Sequence, residues 1–128
     1  MEAKELHRLM VGDYVYNTHN KKNEQVQQIL ELGVMLDYND IYNADDIKPI
    51  PLKRIHITKN GFKATNAEDT EFVYRNGYEV KVMIDEYMKE TIFLSINFAE
   101  KELWMPIEYV HELQQAMRLF GIEKEIKL

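Results

Sequence analysis

The chain has 128 residues, with 16 Lys plus Arg against 22 Asp plus Glu, four histidines and no cysteine. This length suits one domain, because two would each fall where a single apolar core becomes marginal. The missing cysteines exclude a disulfide scaffold, a cysteine zinc site and a thiol nucleophile, and the net charge of −6 opposes unspecific attachment to phosphate backbones or anionic lipid.

From the N-terminus, Met1 to His7 lacks the basic-then-apolar order of a secretory signal. No apolar run approaches the roughly 20 residues of a bilayer span, so the expectation is a cytoplasmic protein with no membrane attachment. Val11 to Asn17 reads as a glycine turn followed by a strand, and Thr18 to Asn23 as polar turn chemistry. Gln25 to Leu32 and Val34 to Leu36 form two strands with a tight reversal at Leu32-Gly33, although a helix over Glu24 to Leu32 also fits the pattern. Asp37 to Asp46 reads as a solvated loop: Ile41, Tyr42 and Lys48 stand where a calcium loop requires an oxygen ligand, a glycine and a glutamate.

The prolines hold Lys48 to Leu52 extended. A short helix over Lys53 to Asn60, closed by Gly61 and sealed by Phe62, is the preferred reading, although Ile55 to Thr58 also alternates like a strand. Glu71 to Arg75 and Tyr78 to Asp85 make a hairpin, with Asn76-Gly77 as its two-residue type I′ turn. Tyr78, Val80, Val82 and Ile84 share one face of it. Thr91 to Phe98 continues the sheet with Ile92, Leu94, Ile96 and Phe98 buried, and Phe93 stands on the opposite face. Trp104 reads as a core anchor before it reads as a surface contact, and Pro106 as the start of a helix running from Ile107 to Phe120 with Gly121 as its stop. At about 100° per residue, Tyr109, Val110, Leu113, Ala116, Met117 and Phe120 form its apolar arc. Glu108, His111, Glu112, Gln115 and Arg118 form the arc facing water. Ile122 to Leu128 alternates weakly, as an added edge strand does.

The five glycines stand singly, so no phosphate cradle is encoded. Ser95 is the only serine and lies mid-strand, away from any nucleophile elbow. His7, His19, His56 and His111 show no metal-ligand spacing. The sequence therefore predicts no catalytic residue, no metal and no cofactor. Lys21-Lys22 and Lys53-Arg54 are isolated basic pairs, which argues against nucleic acid as a partner. One constellation stands out: His111, Gln114 and Arg118 lie along one side of the last helix. They read either as a hydrated flank or as a binding stripe offering directional hydrogen bonds. Tyr14 and Tyr16 share a strand face, where such pairs can serve as platforms for a partner.

Three segments carry a family resemblance: the opening Met1-Glu2-Ala3-Lys4-Glu5-Leu6 with Val11-Gly12-Asp13-Tyr14-Val15, the Ile47-Lys48-Pro49-Ile50-Pro51-Leu52 stretch with Asn60-Gly61-Phe62, and Tyr109-Val110-His111-Glu112-Leu113-Gln114. Together they resemble a family of small, uncharacterised proteins of Bacteroidetes and their phages and mobile elements. The resemblance spans the chain, with its middle hairpins only generically alike. It implies an α+β domain and an intracellular location, and it transfers no catalytic residue. The chain departs from it at Lys53, where the family pattern places a threonine that can cap the following helix.

The expected fold is α+β: a mostly antiparallel sheet or small barrel, with a short middle helix and a C-terminal helix packed on the sheet. One domain spans 1–128, with a β-rich part over 1–52, and the short helix, meander and last helix over 53–128. The expected function is a non-enzymatic, protein-binding accessory module, with a homodimer open to it. The alternatives are a small nucleic-acid-binding barrel and an enzyme assembled from scattered histidines and carboxylates.

Overall fold

The computed structural model describes residues 1–87, 91–98 and 100–128, the side chain of Phe98 excepted. The fold is α+β, built from antiparallel sheets with a short middle helix and a C-terminal helix. After a short helix α1 (Ala3–Leu6), strand β1 (Tyr14–Asn17) pairs with β2 (Lys22–Gln25) on one side and β6 (Ile47–Lys48) on the other. A second small sheet joins β3 (Gln28–Ile29), β4 (Gly33–Met35) and β5 (Ile41–Asn43). Leu6, Leu9, Val15, Val26, Val34, Leu36 and Ile47 form the apolar centre of this N-terminal part.

The rest of the chain forms a larger body. A five-stranded sheet runs in the order β11 (Lys101–Ile107), β10 (Thr91–Phe98), β9 (Glu79–Asp85), β8 (Glu71–Arg75), β7 (Lys63–Ala64). Helices α2 (Arg54–Lys59) and α3 (Val110–Leu119) supply Ile57, Val110, Leu113, Ala116 and Met117 to its core. Ile50 and Leu52 join that core from the extended proline segment. Strand β1 links the two bodies by simple alternation. Val15 and Asn17 are buried in the N-terminal part, while Tyr14 and Tyr16 pack against the core of the large sheet.

Several local expectations change. Asp37 to Asp46 is not only a loop, because Ile41–Asn43 pairs with β4 and turns Tyr42 toward the first core. Lys22 and Asn23 belong to a strand, not to the turn before it. The central hairpin pairs Arg75 with Glu79, so its loop holds Asn76, Gly77 and Tyr78, and only Gly77 has positive φ (76°). A two-residue turn would set Phe72 opposite Lys81. The extra residue instead sets Phe72 opposite Val82 and keeps the core face apolar.

Pro106 does not open a helix. It lies in β11 opposite Phe93, on an edge strand where its missing N–H is tolerated. The last helix starts at Val110, and Glu112 Oε1 accepts from the backbone N–H groups of Glu108 and Tyr109, each at 2.9 Å. Its end follows expectation: Ile122 N–H donates to Met117 and Gly121 N–H to Arg118, each at 2.9 Å, with Ile122 buried. The tail after it is no strand among the described residues. Ile122 and Ile126 are buried, and the Asn60 side chain bonds the backbone N–H and C=O of Lys127 at 2.7 and 2.8 Å. One amide thus stands in for a neighbouring strand.

Candidate functional site

The polar side of α3 does not meet open water, as its helical pattern suggests. The turn at Gly12-Asp13 packs on it, and Asp13 is fully buried there. Its Oδ2 accepts from Met10 N–H at 2.8 Å and Gln115 Nε2 at 2.7 Å, and its Oδ1 accepts from Arg118 Nη1 at 2.5 Å. Gln114, also buried, accepts from Tyr14 N–H at 2.9 Å and donates to the Gly12 carbonyl at 3.0 Å. Gly12 has φ +92°, and a Cβ there would lie 3.0 Å from Arg118 Nη2. The positive φ favours glycine here, and any side chain would also make the Arg118 guanidinium shift slightly.

His111 lies on the same side, half-buried and stacked on Tyr109 with ring centroids 5.7 Å apart. Its Nδ1 is buried without a hydrogen-bond partner. Burial lowers its pKa from the ordinary 6.5, against the opposing pull of Asp13, Glu112 and Glu5. The three residues of the predicted stripe are therefore brought together on one helix, and the hydrogen bonds of Gln114 and Arg118 go to this chain's own Gly12–Tyr14 turn. Tyr14 and Tyr16 are half-buried, packed against the core of the large sheet.

The surface that faces outward lies beside this joint, along β11. On the α3 side, Leu103 and Met105 of the strand, Ala116 and Leu119 of the helix, and Met10 line an open groove of about 610 Å³. Leu119 is 81% exposed at its rim, and Gln115 and Arg118 form its polar wall. On the opposite sheet face Trp104 is 55% exposed and stacks on Phe93, centroids 5.6 Å apart. Trp104 is thus a surface residue, not the core anchor its apolar neighbours suggest. Phe93 belongs to an inner strand of the sheet, with this stack as its cover. A second groove of about 520 Å³ adjoins the other end of β11, lined by Pro51, Pro106, Glu108 and Glu112 among others. Glu112 lines both grooves.

Other clusters offer less. Glu24 is fully buried, with Oε2 held by Asn17 Nδ2 at 2.7 Å and Asn20 Nδ2 at 3.2 Å, and Oε1 unpartnered. Among the described residues no group of three or more His, Asp or Glu side chains is placed to hold a metal ion. None of their helices is long and apolar enough to cross a membrane. Comparisons with protein-family models, with curated proteins and with solved structures find no match.

The sequence favours the core for Trp104 and does not single out Asp13 or Leu119. Only Leu119 left a signal: it is a leucine outside the apolar arc of its helix. Asp13 follows a turn glycine and looks like ordinary turn chemistry until its partners, about a hundred positions away, are known.

Proposed function

We propose that this chain is a non-enzymatic protein-binding module whose docking surface is the β11 end of the large sheet. A single observation carries the reading: β11 presents exposed apolar groups on both of its faces, Trp104 on one and the Leu119 groove on the other. Apolar groups gathered in this way on a charged surface mark contact sites for other polypeptides. The experiment is site-specific photo-crosslinking in cells, with a benzophenone amino acid in place of Leu119 or, as control, of Ile55, 62% exposed on α2. Polypeptide adducts from position 119 and none from 55 are expected. Equal yields at both positions, or none at 119, would dismiss the reading.

A second reading, nucleic-acid binding by the N-terminal part, draws on Lys22 Nζ poised 4.7 Å over the ring of Tyr38, which is exposed with φ +66°. A cation beside an exposed aromatic ring suits a stacked base. The net charge of −6 weighs against it, and binding that ignores salt would remove it.

A further inference from the structure

We infer that Asn76 is a site of spontaneous covalent modification, its carboxamide becoming an aspartyl or isoaspartyl carboxylate, while the fold protects Asn60 in the same Asn-Gly dipeptide. The reaction is intramolecular. The backbone nitrogen of the following residue attacks the asparagine Cγ, a nitrogen–carbon bond forms, and the bond from Cγ to Nδ2 breaks. Ammonia leaves, taking up the proton of that N–H. One water then opens the five-membered imide, at Cγ to give aspartate or at the main-chain carbonyl to give isoaspartate. A following glycine favours the attack because no side chain shields its nitrogen.

Of the asparagines in the chain, only Asn60 and Asn76 precede glycine. Their surroundings differ sharply. Asn60 is 4% exposed, and its Nδ2 donates to the His56 and Lys127 carbonyls at 2.6 and 2.8 Å. Its Oδ1 accepts from Lys127 N–H at 2.7 Å, and Gly61 N–H is itself bonded to the Thr58 carbonyl at 3.4 Å. Closing the imide there breaks these bonds and frees the C-terminal tail.

Asn76 and Gly77 are both exposed at the tip of the β8–β9 hairpin. Gly77 N–H donates no hydrogen bond among the described residues. A Cβ built on Gly77 would meet nothing within 4 Å, so the ring has open space to form. The Tyr78 hydroxyl alone holds the Asn76 carboxamide among the described residues.

The product alters the hairpin. A carboxylate at 76 adds one negative charge to the −6 of the chain, near Glu79, which pairs with Arg75 at 3.1 Å. The isoaspartyl form also routes the backbone through the side-chain carbon. One atom is thereby added to the loop whose residue count sets Phe72 opposite Val82. Its free carboxylate is a methyl acceptor for an isoaspartyl methyltransferase, which uses S-adenosylmethionine.

The test ages the purified full chain in mildly alkaline buffer, folded or denatured in guanidinium chloride. Trypsin then releases 76–81 after Arg75 and Lys81, and 60–63 after Lys59 and Lys63. Mass spectrometry reads each conversion as a gain of about 1 Da. In the folded chain 76–81 is expected to convert at least about tenfold faster than 60–63. In the denatured chain the two rates become similar. Labelled methyl groups enter the aged, folded chain through the methyltransferase, and Asn76→Gln abolishes the incorporation. No conversion at 76, or a rate at 60 equal to it in the folded chain, overturns the inference. So does a difference that persists in the denaturant, or methyl incorporation undiminished in Asn76→Gln.

Discussion

Asp13 and Arg118, 105 positions apart, meet at 2.5 Å with the carboxylate fully buried and the arginine side chain one-third exposed. This pair joins the N-terminal turn to the helix that roofs the large sheet. It also places Arg118 and Gln115 as the polar wall of the β11 groove.

Removing the carboxylate therefore leaves Met10 N–H and Arg118 without this acceptor at once, while Gln115 Nε2 keeps the Arg8 carbonyl at 2.8 Å. Asp13→Ala is expected to cost about 3 kcal/mol in urea denaturation, the range for breaking a buried, hydrogen-bonded charge. Arg118→Ala costs a comparable amount, because it leaves the fully buried Asp13 carboxylate without its counter-charge, and the double variant shows positive coupling. A loss below about 1 kcal/mol for Asp13→Ala would mean that the joint contributes little.

Gly12→Ala strains the same joint through the backbone. At φ +92° an alanine pays about 1–2 kcal/mol, and its Cβ would press on Arg118 Nη2. Combining it with Arg118→Ala relieves the contact and leaves the backbone cost. Thermal melts of the two variants separate the contributions.

Both perturbed histidines act in the same direction with pH. The pKa of His111 is lowered by burial, and that of His56 by burial together with Lys53 and Lys59. The folded state then binds fewer protons than the unfolded chain, so stability is full above the ordinary value of 6.5 and is lost as pH falls through the depressed values. Denaturation midpoints between pH 8 and roughly pH 5 should fall. His111→Phe keeps the ring stack and removes the orphaned Nδ1, so it flattens the slope without destabilising at pH 8. A slope unchanged in this variant would assign the effect elsewhere.

Helix α2 forms although Lys53 offers no side-chain acceptor. His56 Nδ1 instead accepts from Lys53 N–H at 3.1 Å. Lys53→Thr supplies the missing cap and should raise stability by about 0.5–1 kcal/mol. A melting temperature that does not move would show that the histidine already suffices.

The fold class was legible because the apolar alternation of Tyr78 to Ile84 and Ile92 to Ile96, and the apolar arc of α3, record burial directly. Local punctuation misled where the neighbouring strand decided the outcome. Asn76-Gly77 promised a tight turn, but Phe72 needed Val82 opposite. Pro106 looked like a helix start, but the alternation of Leu103, Met105 and Ile107 extended the sheet through it. The polar stripe on α3 was visible as a group of directional side chains. What it holds was not, because Gly12, Asp13 and Tyr14 come to it from the far end of the chain.

Strand β1 gives its odd and even side chains to different interiors: Val15 and Asn17 to one, Tyr14 and Tyr16 to the other. Four residues thus serve as a shared wall, so neither half is a cassette that can be lifted out whole. Expressed separately, the C-terminal half would lack the tyrosines that complete its interior, and the N-terminal half would turn them out as a sticky flank. Swapping either half between proteins would demand that this short wall be rebuilt on both sides.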